Sequence, residues 1–168
     1  QTFSGYDNMI TDMDGYKYTY EASGSSDNIA KSTVAVNGGK YDAFYQAIHY
    51  DPGVVLTFSG GKKGKWFLPS FGQVHHLIET FGNPRLVGKD EYGGIVWHAD
   101  YPVSALESLF LSAGGTFFHR IWLSTECSND KAMTFGFYDH LPPDRREIIS
   151  AQFDKTIPTG SVLPFIYF

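Results

Sequence analysis

The chain has 168 residues, 42% of them hydrophobic and 18% charged, which is enough apolar matter for one domain with a core and excludes wholesale disorder. Thirteen basic against 18 acidic residues give a net charge of -5, which argues against a general nucleic-acid coat held by a positive surface. No apolar run approaches the ~20 residues of a membrane span, and a single cysteine, Cys127, allows neither an internal disulfide nor a cysteine-based zinc site.

Fourteen Phe, 11 Tyr, 18 Gly and 8 Pro point to strands and loops rather than a helical bundle. Residues 1–15 are polar and glycine-punctuated and read as an irregular arm. Within them Asp12-Met13-Asp14-Gly15 lacks the third carboxylate and closing Glu of a calcium loop, so it reads as a turn. Residues 16–21 (YKYTYE) alternate aromatic and polar, a strand signal. Ser25-Ser26-Asp27 offers an N-cap for a helix running into the thirties, broken by Asn37-Gly38-Gly39. Ala43, Phe44, Ala47 and Ile48 have helical spacing within 41–50. Residues 54–58 read as a strand and 60–64 (GGKKG) as a tight basic loop. Residues 94–97, 109–111, 120–123 and 133–138 read as consecutive short strands, 144–152 as a short helix and 162–168 as a last strand. The layout is α+β: an antiparallel sheet with a helix before it. The division expected is an arm over 1–15, one α+β domain over 16–141 and a C-terminal extension over 142–168.

Three strand-end stretches carry the chemistry. They centre on Asp100, Arg120 and His140. On neighbouring antiparallel strands these three could share one sheet face. The carboxylate would take a proton from a hydroxyl, the arginine would stabilise a charged phosphoryl group, and the histidine would protonate the leaving oxygen. That set suits cleavage of RNA through a 2′,3′-cyclic phosphate, with no metal and no cofactor. Each residue also has a plainer reading: Asp100 as a turn former, Arg120 in a salt bridge with Asp100 or Asp139, His140 as a strand cap. His75 and His76 lie upstream; on a strand they would face opposite ways, so at most one could join the site. Lys62, Lys63 and Lys65 could hold a phosphate backbone or simply form a solvated hairpin tip. His49 and His98 sit in no motif and receive no role. Cys127 lies in a polar stretch and reads as an exposed thiol.

The order of these stretches resembles the small fungal guanyl-specific ribonucleases. Asp100 precedes Pro102 by two, Arg120 is followed by Ile121, and Gly136 precedes His140 by four. Ser25-Ser26-Asp27 is similar to the start of that family's long helix. The resemblance covers residues 16–141, most closely 95–140. It implies a microbial ribonuclease-like fold, with one N-terminal α-helix packed on a central antiparallel β-sheet and with long loops. The family's acid is usually Glu where Asp100 stands, and its disulfides are absent here. These departures are similar to the ribonuclease-like secreted effectors of powdery mildews and other plant-pathogenic fungi, which commonly lose the catalytic residues. That resemblance implies secretion, delivery into host cells and a host RNA or host protein as partner. Host immune receptors recognise some of that group, which makes such a receptor a further expected partner, and no membrane partner is expected. The start at Gln1 fits a processed secreted chain or a trimmed one.

The first expectation is therefore a binding effector with weak or no catalysis. The second is an active metal-free endoribonuclease using Asp100, Arg120, His140 and one of His75 and His76. The third is an aromatic-rich β protein, such as a carbohydrate-binding module or a capsid-type subunit.

Overall fold

The computed structural model describes residues 6–25, 27–53, 64–82, 84–89, 95–99, 103–112, 120–138, 147–157 and 160–166. In chain order they form α1 (Tyr6–Ile10), α2 (Gly15–Tyr20), α3 (Asp42–Ile48), β1 (Trp66–Phe67), α4 (Phe71–Gly82), β2 (Pro84–Lys89), β3 (Ile95–Ala99), α5 (Val103–Ser112), β4 (Arg120–Glu126), β5 (Lys131–Tyr138), β6 (Glu147–Asp154) and β7 (Phe165–Ile166). Strands β2-β3-β6-β5-β4 make one sheet in that order, each neighbouring pair antiparallel. β1 and β7 form a separate two-stranded ribbon. The fold is α+β, with helices packed against antiparallel sheets.

Strand alternation splits the core in two. From β4 and β5, Ile121, Leu123, Met133 and Phe135 project to one face and pack under Phe71, Val74 and Ile78 of α4, with Met9 of α1. Trp122 and Ala132 project to the other face and pack with Tyr18 of α2, Phe44 and Ala47 of α3, and Leu68. The outer edge of β4 is covered by the chain near its end. Ser161 donates to the Arg120 carbonyl (2.8 Å) and its own carbonyl accepts from Trp122 N–H (3.0 Å), so this edge is not left open for pairing.

The longest helix, α4, lies in mid-chain rather than near the start. At its N-terminus the Gln73 half of a capping box is made: Gln73 Oε1 accepts from Ser70 N–H (3.0 Å) and from Ser70 Oγ (3.1 Å). Thr125 Oγ1 of β4 accepts the next free amide, Phe71 N–H, at 2.8 Å. Gly72 lets the α1–α2 link lie directly on α4, since a Cβ there would collide with the carbonyl oxygens of Ile10 and Asp12.

Several expectations are overturned. Residues 15–20 are helix, not strand. Tyr16 and Tyr20 lie one turn apart with ring centroids at 4.9 Å, so the aromatic alternation serves an i, i+4 contact. The helix expected after Ser25 is one 3-10 turn, Lys31–Thr33. Asn28 is left-handed (φ 56°) and Asp27 Oδ1 accepts from Ile29 N–H (3.2 Å), an Asx turn that blocks helix growth. Residues 109–111 belong to α5, not to a strand. The short helix expected over 144–152 is strand β6 where the structure describes it. β6 lies between β3 and β5, so the segment read as a C-terminal extension supplies the middle strand of the sheet. Residues 54–58 and 60–63 lie outside the described residues.

Candidate functional site

Arg120 opens β4 on the same face as Trp122. Its guanidinium lies 4.3 Å from the ring centroid of Phe153 in β6, a cation–π contact. Asp100 and His140 lie outside the described residues, as do Lys62 and Lys63. His75 and His76 are on α4, about 100° apart around a helix rather than on opposite strand faces. His75 is buried against Phe71, with ring centroids 6.4 Å apart. Burial holds its pKa below the ordinary 6.5, against the nearby Glu79 carboxylate at 3.5 Å. His76 is exposed, 3.7 Å from the same carboxylate. Because α4 covers the sheet face opposite Arg120, the structure does not bring His75 and Arg120 into one site. Lys65 sits 5.4 Å from the Tyr20 ring. Cys127 is not an exposed thiol: it packs against the α4 core, and burial pushes its pKa up to about 11.

The register brings together residues that the sequence leaves far apart. Arg85 of β2 pairs with His98 of β3, His98 pairs with Glu147 of β6, and Glu147 pairs with Tyr138 of β5. Directly opposite residues share a sheet face, with Cβ atoms about 4.5–5.5 Å apart. Arg85, His98, Glu147 and Tyr138 thus stand in one register row across four adjacent strands. Arg120 pairs with Gly136, two residues before Tyr138, so it stands on the same face one row away. Sequence reasoning gave His98 no role and did not consider Arg85, Glu147 or Tyr138. The only local signal was a histidine inside an apolar strand, and its partners depend on strand order.

On that same face, toward α3, lies a cleft of about 380 Å³. Its floor is Phe44, Leu68, Trp122 and Ala132, its rim includes Lys40, Tyr41 and Gln46, and the buried Lys155 lies in its wall. Three lysines surround one ring: Lys31, Lys155 and Lys40 lie 4.5, 5.6 and 5.7 Å from the Tyr41 centroid. Lys31 and Lys155 are almost fully buried and share Glu126, at 3.9 and 2.5 Å. Lys31 also holds Asp27 at 2.7 Å. Lys155 donates further to the Asn129 and Ser128 carbonyls, at 3.0 and 3.2 Å.

A second buried polar group joins helix to sheet. The Asp12 carboxylate accepts from Tyr18 Oη and from Thr125 Oγ1, both at 2.7 Å. Asp12 Oδ1 also accepts from Asp14 N–H (3.3 Å), and Gly15 of the same stretch already belongs to α2. Burial raises the Asp12 pKa above 3.8, opposed by the hydrogen bonds from Thr125 and Tyr18. No helix among the described residues is long and apolar enough to cross a membrane. No family model, curated protein or solved structure matches this chain.

Proposed function

We propose that this chain is a ribonuclease-like protein of the secreted fungal-effector kind, which works by binding RNA with weak or no catalysis. The observation that carries this reading is the cross-strand row Arg85–His98–Glu147–Tyr138 on an antiparallel sheet. Guanidinium and imidazole groups suit a phosphate, and a phenol suits stacking on a base. The stack of Arg120 on Phe153 supports weak catalysis, because it engages the one arginine that the ribonuclease resemblance assigns to the phosphoryl group. In this reading the chain is delivered into host cells and a host RNA is its partner.

A second reading, metal-free cleavage, is favoured by one specific pairing. His98 and Glu147 are register partners on adjacent strands, and they are the residue types that general acid–base work on a phosphodiester uses.

The test is a labelled single-stranded RNA incubated with the purified protein in a chelator, following both retention and chain length. Binding that weakens on Arg85→Ala, with intact RNA recovered, supports the first reading. Cleavage to a cyclic phosphate that both His98→Ala and Glu147→Gln abolish establishes the second. Neither binding nor cleavage by the folded wild type overturns both.

A further inference from the structure

We propose that the cleft between α3 and β4 is a binding site for a small planar aromatic anion, a two- or three-ring carboxylate being the simplest example. A volume of about 380 Å³ falls in the range of small-molecule sites, which are mostly apolar with a few placed polar groups. This cleft has that composition. Phe44, Leu68 and Ala132 supply apolar floor, and Trp122 and Tyr41 supply ring surfaces against which a flat ligand can lie.

The polar groups select an anion. Lys40 stands at the rim, 40% exposed, and its ion-pair partner Asp130 (3.0 Å) is 76% exposed. Such a pair is weak, so an incoming anion can replace Asp130 at little cost. Asp42, the rim carboxylate that would repel an anion, already accepts from Gly38 N–H (2.7 Å) and from Gln46 Nε2 (3.3 Å). Trp122 is 7% exposed and lines the cleft. The buried Lys155 is held by Glu126 and two carbonyls and so belongs to the wall.

The site is independent of the RNA reading, and its test keeps the two apart. Binding of 2-naphthoate to the full chain is measured by calorimetry beside 2-naphthol, which has the same rings without the charge. One saturable site is expected, with naphthoate favoured about tenfold, as a charge-assisted contact would give. Lys40→Gln should remove that preference and leave naphthol binding unchanged. Ala43→Trp, which fills the cleft from its α3 wall, should abolish both. His98→Ala should change neither. No saturable binding, equal affinity for the two probes, or a preference that survives Lys40→Gln would overturn the proposal. The last two outcomes decide it even if Ala43→Trp fails to fold.

Discussion

On the α4 side of the sheet, Phe71, Val74 and Ile78 meet Ile121, Leu123, Met133 and Phe135, and the polar groups buried beside them are His75 and the hydrogen-bonded Asp12, Ser70 and Thr125. On the α3 side, Tyr18, Phe44, Leu68 and Trp122 share their layer with the buried charges Lys31, Glu126 and Lys155. The first side gains stability by removing apolar surface from water. The second also takes three charges out of water, and their mutual attraction must offset that cost. The same side leaves a cleft unfilled. Stability concentrates where packing is complete, and the capacity to bind concentrates where it is not.

The largest expected effects test this difference directly. Phe135→Ala should destabilise the protein by about 3–5 kcal/mol through lost burial and a cavity. Glu126→Ala should cost a similar amount, about 3–5 kcal/mol, because it leaves Lys31 and Lys155 buried without their shared carboxylate. The two losses differ in kind. Replacing Lys31, Glu126 and Lys155 together by Met, Leu and Met should recover most of the Glu126 loss in urea denaturation. No apolar replacement of a distant residue should recover Phe135→Ala. A triple variant as unstable as Glu126→Ala would show that the charged cluster stabilises the fold outright, and the contrast between the two sides would fail.

Asp12 comes next, since it ties α2 to the β4 end of the sheet. Asp12→Ala should cost about 3 kcal/mol by leaving two buried hydroxyls, Tyr18 and Thr125, without their acceptor. Its pH dependence has a definite sign. Burial raises the folded pKa above the ordinary 3.8, so the folded state holds the proton more tightly than the unfolded chain. The stability from this group is fully present below that ordinary value and is lost as pH rises through the folded one. The stability of wild type minus that of Asp12→Asn should therefore fall as pH rises above the ordinary 3.8. A rise there would mean that the hydrogen bonds outweigh burial.

The Arg120–Phe153 contact is smaller. Phe153→Leu keeps most of the apolar volume and removes the ring, so it should cost about 1 kcal/mol. A matching loss in Arg120→Met, with no further loss in the double variant, would show that the two act as a pair.

Local patterns explain which parts of the fold were legible. In β4 the short apolar run Ile121-Trp122-Leu123 after Arg120 announces a strand buried on both faces. Helix α4 was legible too, through Ser70 and Gln73 at capping-box spacing and the run Phe71, Val74, Ile78; reading His75-His76 as strand residues hid it. Helix α2 misled because Tyr16, Tyr18 and Tyr20 imitate strand alternation. β6 misled because a central strand needs apolar positions on both faces, so Ile148-Ile149 lacks the expected period. The candidate row was not legible at all. His98 meets Glu147 only because β6 inserts between β3 and β5, a matter of strand order that no local spacing records.

The smallest expected effect sharpens the comparison most. Lys40 and Asp130 form an ion pair at 3.0 Å at the mouth of the cleft, yet both are substantially exposed. The Asp130 carboxylate holds the Lys40 pKa above its ordinary 10.5, which shows attraction but converts poorly into stability across solvent. Lys40→Gln and Asp130→Asn should each change unfolding stability by under about 0.5 kcal/mol. The buried Lys31 and Lys155 face the same Tyr41 ring, and their carboxylate cannot be removed without a large loss. Three lysines around one ring thus divide into two that hold the wall and one that is free to exchange its partner. A loss on Lys40→Gln comparable to that of Glu126→Ala would place Lys40 with the wall and remove the exchangeable charge from the mouth of the cleft.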